Sequence, residues 1–565
     1  MGHGVETAAV EVQPSPASTS ERPLEGSGVD QLHVEDNGSF KAPRTRFRKA
    51  AIITALYLAL SIAALDHTIL ATAIPTITSQ LRSASGYFWI GSAYLLAVSA
   101  SGPIWAKFSD IFGRKPAILG AVTLFGGASI IAALSSSVNM LISARALQGT
   151  AAGGLFQMVN IVISDIFSMR QRTFYLGFAN VVWGLAGGTG PLIGGAFTQY
   201  VSWRWCFWIN LPICACSLVL LTIFLDVHNP RTPILSGLAA FDWLGTLSII
   251  SIVVMLLLGL NFGGVFFPWN SATVLCLIIF GVVMIGVFVV TEKKWARYPL
   301  VPFAIFRNRG TVAAFMVTFF HGMVFIAVSY YLPLYFQSVK QASPLRSGVL
   351  ILPNVVPEAC MGVVNGVIML KTGHYREIIW VGLALLTLGT GLYVQFTPDT
   401  PIAVIVGMLI IGGVGSGCLF EAPLVAVQAM TSQDDTATAT AAFGFTRNLA
   451  TAMSLVLGGV VFQNGMKQRA GDLVRAGLNS ELVEAFSAGK AAANVDLIKG
   501  INNPAQRAAV EDAFAWSLHN MWIMYCVVAG VGFLASLFIQ HNHLSTEHTE
   551  TKTGLKEKRE VVNEA

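Results

Sequence analysis

Long apolar stretches recur along most of the chain, and short polar segments that carry nearly all of its charges separate them. A helix needs roughly 20 apolar residues to cross the hydrocarbon core of a bilayer. The pattern therefore predicts an all-α integral membrane protein. Fourteen spanning helices are predicted, near residues 50–74, 86–106, 116–136, 138–160, 173–197, 206–225, 243–262, 271–290, 311–337, 348–370, 377–396, 401–428, 438–463 and 518–540.

Composition agrees with this pattern. Of the 565 residues, 54% are hydrophobic and only 12% are charged, which is about half the charged share of a soluble domain. A soluble chain of this length would form several domains with charged surfaces, so most of this surface is expected to face lipid. The seven cysteines lie in apolar segments and show no metal-binding or secreted-framework spacing. We expect no metal, no cofactor, no catalytic residue and no nucleic-acid partner.

The distribution of lysine and arginine predicts the orientation. Bases concentrate in alternate loops, such as the one that holds Lys107, Arg114 and Lys115, and the loops between them carry few. Because cytoplasmic loops are enriched in these residues, both termini are expected in the cytoplasm. The long segment 464–517 is then extracellular, and its small amphipathic stretches are typical of a short helical cap.

The loop after the second predicted span combines an acid, a glycine turn and two bases, in the run Ala106-Lys107-Phe108-Ser109-Asp110-Ile111-Phe112-Gly113-Arg114-Lys115-Pro116. This run resembles the loop signature G-x-L-x-D-x-x-G-R-K of the major facilitator superfamily, with alanine in place of the first glycine. The resemblance implies that Asp110, Gly113, Arg114 and Lys115 belong to a cytoplasmic gate.

A weak second copy of this loop occurs later in the chain. Gly373 and His374 stand where a repeat would place Gly113 and Arg114, although Leu370 replaces the acid. Such echoes are typical of transporters built from two parallel halves. With the family resemblance, the second copy predicts six-helix halves at 46–225 and 311–540, the second with the extracellular loop 464–517, and two inserted spans with a cytoplasmic linker at 226–310. The polar segment 1–45, which is rich in serine, proline, glutamate and glycine, is predicted to be disordered and cytoplasmic. Residues 541–565 are predicted to form a cytoplasmic tail.

The fifth predicted span is rich in glycine and includes Gly190, Pro191, Gly194 and Gly195. Such a helix is thin and kinkable, so that a neighbour can approach it closely. The run is similar to the antiporter motif G-x8-G-x3-G-P-x2-G-G, with Ala186 in place of the second glycine. The resemblance implies export rather than uptake, although packing alone would also use glycines.

Further stretches resemble the fourteen-span drug:proton antiporters. The first span ends in Leu65-Asp66-His67-Thr68-Ile69-Leu70-Ala71-Thr72-Ala73-Ile74-Pro75, which looks like the signature L-D-x-T-I-V-x-x-A-L-P. The run Arg145-Ala146-Leu147-Gln148-Gly149 resembles the motif R-x-x-Q-G. The run Tyr331-Leu332-Pro333-Leu334-Tyr335-Phe336-Gln337 resembles filamentous-fungal members of the toxin and multidrug efflux type. The resemblance covers about residues 45–540.

Ionisable residues inside predicted spans are candidates for function, because a charge in hydrocarbon is costly and faces the interior or a wet cavity. They are Asp66, Arg145, His321, Glu358 and Glu421. The resemblance implies proton coupling by Asp66 near Arg145, unless Arg145 extends to the outer headgroups. Three roles are open for Glu358 and Glu421. They carry protons, they attract cationic substrates, or they only form hydrogen bonds with polar neighbours. His321 is also consistent with a structural role.

Arg447 lies at the predicted cytoplasmic start of the thirteenth span. In the family, the acid of the loop after the second span meets a base at this position when the transporter is open to the outside. We call this loop, residues 107–115, the elbow loop. The resemblance therefore implies that Asp110 pairs with Arg447 and holds the cytoplasmic gate shut. Alternatively, Arg447 is one more base that faces cytoplasmic headgroups.

The sequence therefore favours a proton-coupled exporter of drugs, toxins or secondary metabolites that works by alternating access. Its expected partners are a small-molecule substrate, protons and the lipid of the plasma membrane, and a monomer is expected. The main alternative is a vacuolar carrier of basic amino acids, in which Glu358 and Glu421 bind the cation. A non-transporting sensor is a further alternative. The sequence holds no G-x-x-x-x-G-K-[ST] or H-E-x-x-H run that would favour an ATP-driven pump or a membrane enzyme.

Overall fold

The protein is described by a computed structural model that covers Gly2 and residues 45–81, 86–230, 232–263, 267–296, 299–547 and 553–554. The predicted disordered segment 1–45 falls outside the described residues, apart from Gly2 and Thr45. More than half of the predicted tail 541–565 falls outside them as well.

The described residues form helices joined by short connections. The first part of the chain contains α1 Arg46–Ile69, α2 Ile74–Gln80, α3 Gly86–Phe112, α4 Arg114–Ala133, α5 Val138–Ile166, α6 Met169–Tyr200, α7 Trp205–Trp208 and α8 Asn210–Phe224. The middle contains α9 Ile234–Ala240, α10 Trp243–Phe262 and α11 Ala272–Lys294. The last part contains α12 Arg309–Ser338, α13 Pro344–Thr372, α14 Arg376–Tyr393, α15 Ile402–Gly417, α16 Ala422–Ala429, α17 Thr436–Arg475, α18 Ser480–Phe486 and α19 Pro504–Ser536. Short 3₁₀ segments lie at Leu70–Thr72, Phe303–Arg307, Gln433–Asp435 and Ala488–Gly500.

Membrane crossing is supported by length and hydropathy. In the part of the chain that the structure describes, 12 helical segments are long and apolar enough to cross a bilayer. Two further long helices, α3 and α14, contain 27 and 18 residues and pack within the same bundles. The structure is thus an all-helical membrane protein with 12 candidate spanning segments among its described residues.

The long helices form two bundles with the same internal order of contacts. In the first bundle α1 packs on α6, α3 on α5, and α4 on α5. In the second bundle α12 packs on α17, α13 on α15, and α14 on α15. The bundles meet where α6 contacts α13 and where α3 contacts α17.

The loop that contains Gly373, predicted to be a second copy of the loop at residues 107–115, shares a backbone feature with that loop. Gly113 precedes α4 with φ of 100°, and Gly373 precedes α14 with φ of 77°. Positive φ favours glycine because it has no β-carbon. We call the end of the bundles where α3 passes into α4, at residues 107–115, the elbow end.

Several segments differ in detail from the predicted spans. The predicted span 401–428 is interrupted, because α15 ends at Gly417 and α16 begins at Ala422. Helices α17 and α19 extend beyond the predicted spans into segment 464–517, where Leu473, Phe486 and Ile498 are buried. Between α17 and α19 the chain forms α18 and the 3₁₀ segment Ala488–Gly500, and both pack against α17.

The helices α10 and α11 lie beside the two bundles. They pack on each other, and α10 also contacts α3 and α17. A small buried cluster of Ala100, Val253 and Leu257 joins α10 to α3. The pair is therefore attached along the line where the two bundles meet.

Candidate functional site

Asp66, near the end of α1, is fully buried and accepts hydrogen bonds from three side chains. Arg145 of α5 forms an ion pair with its Oδ2 atom. Gln148 Nε2 and Asn210 Nδ2 donate to its Oδ1 atom over 3.2 and 3.1 Å. The structure thus brings Asp66 and Arg145 together, and the carboxylate has three hydrogen-bond donors inside the first bundle.

Arg145 is directed into the protein. Its Nε donates to the Ile90 carbonyl over 3.3 Å, and its Nη1 donates to Gln148 Oε1 over 2.9 Å. The guanidinium lies over the Tyr94 ring at 4.2 Å from its centroid. Because only 2% of Arg145 is exposed, it does not reach the outer headgroups, and that alternative is wrong for this structure.

Two further polar residues complete this buried network. Gln148 Nε2 donates to Ser129 Oγ of α4 over 2.9 Å, and Asn210 Nδ2 of α8 lies 3.4 Å from the same oxygen. Neither Ser129 nor Asn210 was selected from the sequence as a site residue. The available signal was that Asn210 is an amide within an apolar run, where a polar group needs a partner.

The contacts of this network depend on the charge of Asp66. While Asp66 is ionised, it balances the charge of Arg145. A proton on Asp66 would leave Arg145 without a counter-charge, and breaking a buried pair costs about 3–5 kcal/mol. Proton binding would therefore favour a different arrangement of α1 against α5.

His67 follows Asp66 in the chain and lies beside two aromatic rings. Although its neighbour Asp66 is buried, His67 is exposed. Its ring centroid lies 6.1 Å from that of Tyr94 and 6.0 Å from that of Trp183 on α6. The sequence motif contained His67, but its contact with both aromatic rings depends on the packing of α1 against α3 and α6.

The glycines of α6 allow close packing on the chain just after Asp66. A β-carbon at Gly190 would collide with the Thr68 side chain, and one at Gly194 would collide with the Ile69 carbonyl oxygen. Thr68 Oγ1 donates to the Ala186 carbonyl over 2.8 Å across this contact. These glycines therefore face α1 rather than lipid.

The other two predicted motif residues have looser surroundings. The Pro191 carbonyl accepts a hydrogen bond from Thr72 Oγ1 over 3.2 Å. A β-carbon at Gly195 would touch only Thr72, at 3.9 Å. Gly190 and Gly194 are thus the two motif residues that allow α6 to approach α1 closely.

The elbow loop is held by a buried arginine. Arg114 forms an ion pair with Asp110, and its Nε donates to Asp165 Oδ2 at the end of α5 over 2.7 Å. Its Nη1 also donates to Ser109 Oγ over 2.7 Å. Asp165 was not predicted, because it lies 51 positions from Arg114 and forms no local motif with it.

The remaining elbow residues have separate roles in this packing. Gly113 takes φ of 100°, and a β-carbon there would lie 3.0 Å from Pro230. The exposed Lys115 Nζ donates to the Thr222 carbonyl at the end of α8 over 2.7 Å. Both residues attach the start of α4 to the segment around α8.

The structure does not bring Asp110 and Arg447 together. Across the two bundles, Asp110 Oδ2 instead accepts a hydrogen bond from Thr438 Oγ1 of α17 over 3.3 Å. Thr438 and Arg447 are nine positions apart on one helix, which is roughly 13 Å along its axis. The expected pair is therefore corrected to Asp110 and Thr438, because the register of α17 places Arg447 deeper in the second bundle.

Arg447 belongs to an ionisable cluster in the second bundle. Its Nη2 donates to the Phe420 carbonyl over 2.7 Å, and its guanidinium lies 4.8 and 5.1 Å from the ring centroids of Phe420 and Phe443. Glu421 is buried in the interruption between α15 and α16 and interacts electrostatically with Arg447. Its Oε2 atom has no hydrogen-bond partner.

Glu358 and His321 also interact electrostatically with Arg447. Glu358 and Ser416 line a small cavity that is about large enough for one water molecule. His321 is buried, and its Nε2 lies 3.2 Å from Ser416 Oγ. The second bundle therefore contains its own polar site, apart from that of Asp66.

Comparison with known proteins agrees with this architecture. The sequence profile of the Major Facilitator Superfamily matches residues 56–455. The chain is 45% identical over 506 residues to the efflux pump dotC of Dothistroma septosporum, covering 90% of this chain and 87% of that protein. It is 43% identical over 542 residues to the MFS-type transporter ppz2 of Metarhizium majus, covering 96% and 93%.

Solved structures share the fold at low sequence identity. The crystal structure of the human organic anion transporter MFSD10 aligns with a TM-score of 0.55 and 14% identity, over 87% of this chain and 99% of that one. The proton:xylose symporter XylE aligns with a TM-score of 0.52 and 14% identity, over 89% and 97%. From the profile match, its close relatives and its two-bundle fold, the chain belongs to the Major Facilitator Superfamily and is a membrane transporter rather than an enzyme.

Proposed function

We propose that this transporter is a proton-coupled exporter of small organic molecules such as drugs, toxins or secondary metabolites. It exchanges substrate against protons by alternating access and acts as a monomer in the plasma membrane. It crosses that membrane fourteen times, with α3 and α14 added to the 12 candidate spans, and keeps both termini in the cytoplasm.

The observation that carries the proposal is the buried pair of Asp66 and Arg145. A carboxylate with 0% exposure is retained in an apolar helix only where partners compensate for the lost hydration. This one has three hydrogen-bond donors and sits beside the exposed His67. A proton that binds to Asp66 would unbalance the contact of α1 with α5.

The contacts at the elbow end support an outward-facing arrangement. Gln428 Nε2 donates to Ser164 Oγ over 3.0 Å, and Thr173 Oγ1 donates to the Gly366 carbonyl over 3.2 Å. Both bonds join the two bundles at the elbow end, as does the bond from Thr438 to Asp110. The basic residues of that end favour the cytoplasmic side, namely Lys107, Arg114, Lys115, Arg170, Lys371 and Arg376.

The direction of transport rests on the efflux relatives and on the α6 glycines. The relative from Dothistroma septosporum is named an efflux pump, and it aligns over 90% of this chain. In this protein, Gly190 and Gly194 place α6 directly against the chain that follows Asp66. A proton-dependent movement of α1 would therefore be transmitted to α6.

The test is transport by the purified protein in proteoliposomes under an imposed pH gradient. A panel of lipophilic dyes serves as substrate, and an internal pH-sensitive dye reports proton movement. Dye movement that requires the gradient, together with opposite proton flux, supports the proposal. Dye movement that is insensitive to an uncoupler contradicts proton coupling, and movement of protons and dye in the same direction contradicts the exchange of substrate against protons.

A second candidate function is a vacuolar carrier of basic amino acids. It is favoured by the second bundle, where Glu358 lines a cavity and Glu421 retains an unpartnered oxygen, with Arg447 as their cationic neighbour. Gradient-dependent uptake of labelled lysine or arginine into vacuolar membrane vesicles would support this candidate. Location of the protein at the plasma membrane, together with the absence of such uptake, would exclude the vacuolar carrier and favour the exporter.

A further inference from the structure

Two histidines and a glutamate meet on the elbow end, outside the sites described above. His374 precedes α14, Glu377 lies in its first turn, and His541 follows α19. One ligand atom from each residue lies within 4.8 Å of the other two. We propose that these residues bind a borderline divalent transition-metal ion such as Zn²⁺.

The donor set fits such an ion. Neutral imidazole and carboxylate are preferred ligands of Zn²⁺, whereas Ca²⁺ and Mg²⁺ require mostly oxygen. Zinc–ligand bonds of about 2.0–2.1 Å in a tetrahedron separate neighbouring ligand atoms by about 3.3 Å. His374 Nδ1 and Glu377 Oε2 are already 3.3 Å apart.

The second histidine needs only a side-chain rotation. The rings of His374 and His541 are stacked, with centroids 5.0 Å apart and an interplanar angle of 21°. Both side chains are exposed, so they can turn without disturbing the bundle. A metal would convert the stacked rings into ligands that point to one centre, and water would complete the coordination.

The backbone on both sides of His541 is fixed in place. The hydroxyl of the buried Tyr375 donates to the Gln540 carbonyl over 2.8 Å and accepts from the Asn542 amide over 2.9 Å. Asn542 Nδ2 also donates to the Ala429 carbonyl over 3.1 Å. The tail is therefore already ordered before a metal binds. Metal binding loses little conformational entropy in the tail, and this favours high affinity.

A neighbouring arginine opposes the metal and provides a sharp test. Arg376 Nη2 lies 3.2 Å from Glu377 Oε1 and its guanidinium lies over Trp380. This contact leaves the other carboxylate oxygen for the metal, but the positive charge repels a cation. Removing Arg376 should therefore increase metal affinity, an effect that loss of a structural contact would not produce.

A metal here would fix the start of a tail that reaches the first bundle. The Ser545 carbonyl accepts from the Arg170 amide over 3.2 Å, and the Gly554 amide donates to the Asp110 carbonyl over 2.8 Å. The metal would thus strengthen the connection between the two bundles at the elbow end. This inference does not depend on the proposed direction of transport or on proton coupling.

The experiment uses the full-length protein in detergent, purified with a tag that lacks histidine and stripped of metal by a chelator. Zn²⁺ is titrated by calorimetry, and Co²⁺ is followed by visible absorption that reports coordination geometry. One saturable equivalent per chain is expected. His374→Gln, Glu377→Gln and His541→Gln should each weaken Zn²⁺ binding by at least about tenfold, and Arg376→Gln should strengthen it.

His228→Gln is the matched control, because His228 lies outside the group. Its affinity should equal that of the parent protein, and the gel-filtration profiles of all variants should agree. The proposal is overturned by absence of saturable Zn²⁺ binding to the parent, by unchanged affinity in a His374→Gln/His541→Gln double variant, or by equal loss in the control. If the ligand variants misfold, a disulfide between cysteines introduced at positions 374 and 541 tests the proximity instead, and its absence also overturns the proposal.

Discussion

Asp66 and Arg145 are 79 positions apart in the chain, yet they form an ion pair whose side chains are 0% and 2% exposed. Gln148, Ser129 and Asn210 surround the pair with amide and hydroxyl groups from three helices. The pair is therefore the most completely enclosed charge arrangement among the predicted site residues. Any movement of α1 relative to α5 must break or exchange its contacts.

The Asp66→Asn substitution should abolish gradient-driven transport while the protein still reaches the membrane. Asparagine preserves the size of the side chain but cannot bind and release a proton, and it leaves Arg145 without a counter-charge. Thermal stability should fall, by about 3 kcal/mol or more in free energy of unfolding. Gradient-driven dye efflux and the melting temperature in detergent measure the two effects.

The Asp66→Asn/Arg145→Gln double variant is the control for this change. Removing both charges should recover part of the lost stability, because no unpaired charge remains buried. Transport should stay lost in the double variant. Normal gradient-driven efflux from Asp66→Asn would show that the proton is carried elsewhere.

The Gly190→Val substitution should inhibit transport, because the added side chain would collide with Thr68 on α1. Overpacking of this kind costs about 1–3 kcal/mol. Gly187→Val lies on the same helix, where a β-carbon meets no atom within 4 Å, and should behave like the parent protein. Dye efflux and melting temperature compare the two variants, and equal behaviour would refute a specific role for the close contact.

Asp110 and Thr438 should be energetically coupled, because Thr438 Oγ1 donates to Asp110 Oδ2 over 3.3 Å. In a double-mutant cycle of Asp110→Asn and Thr438→Val, the effects on stability should differ from their sum by about 0.5 kcal/mol or more. The cycle of Asp110→Asn and Arg447→Gln should be additive, because those residues have separate partners. Additivity in the first cycle and coupling in the second would favour the latch that the sequence predicted.

Arg447→Gln should destabilise the second bundle, because Glu421 and Glu358 both interact electrostatically with Arg447. The expected loss is about 3 kcal/mol or more, as for other buried charges that lose a partner. Adding Glu421→Gln to Arg447→Gln should restore part of this stability. Thermal unfolding in detergent measures both effects, and a double variant less stable than Arg447→Gln would count against the electrostatic account.

Gly113→Ala should destabilise the elbow, because φ of 100° is strained for any residue with a β-carbon and Pro230 lies 3.0 Å away. The expected cost is roughly 1–2 kcal/mol. Gly127→Ala in the middle of α4 should leave the melting temperature unchanged or slightly higher, since a β-carbon there has open space. A harmless Gly113→Ala would mean that the elbow adopts another backbone conformation.

The sequence by itself determined much of the helical pattern and pointed to several candidate site residues, because these depend on local chemistry. A helix that crosses a bilayer needs a long apolar run, so each span can be recognised from one continuous stretch of the sequence. An acid such as Asp66 inside one of them must be compensated, and a turn such as that at Gly113 favours glycine. These features could be predicted without knowledge of the neighbours.

The tertiary structure decided which residues meet, because contacts across the bundles depend on helix register and depth. Asn210 reaches Asp66 across 144 positions, and Thr438 reaches Asp110 across 328 positions. The expected partner Arg447 is on the same helix as Thr438 but roughly 13 Å further along it. Packing of the two bundles sets that register, and packing of Tyr375 against the tail brings His541 to His374. A local sequence pattern cannot predict these contacts between distant residues, because they form only when many helices pack together.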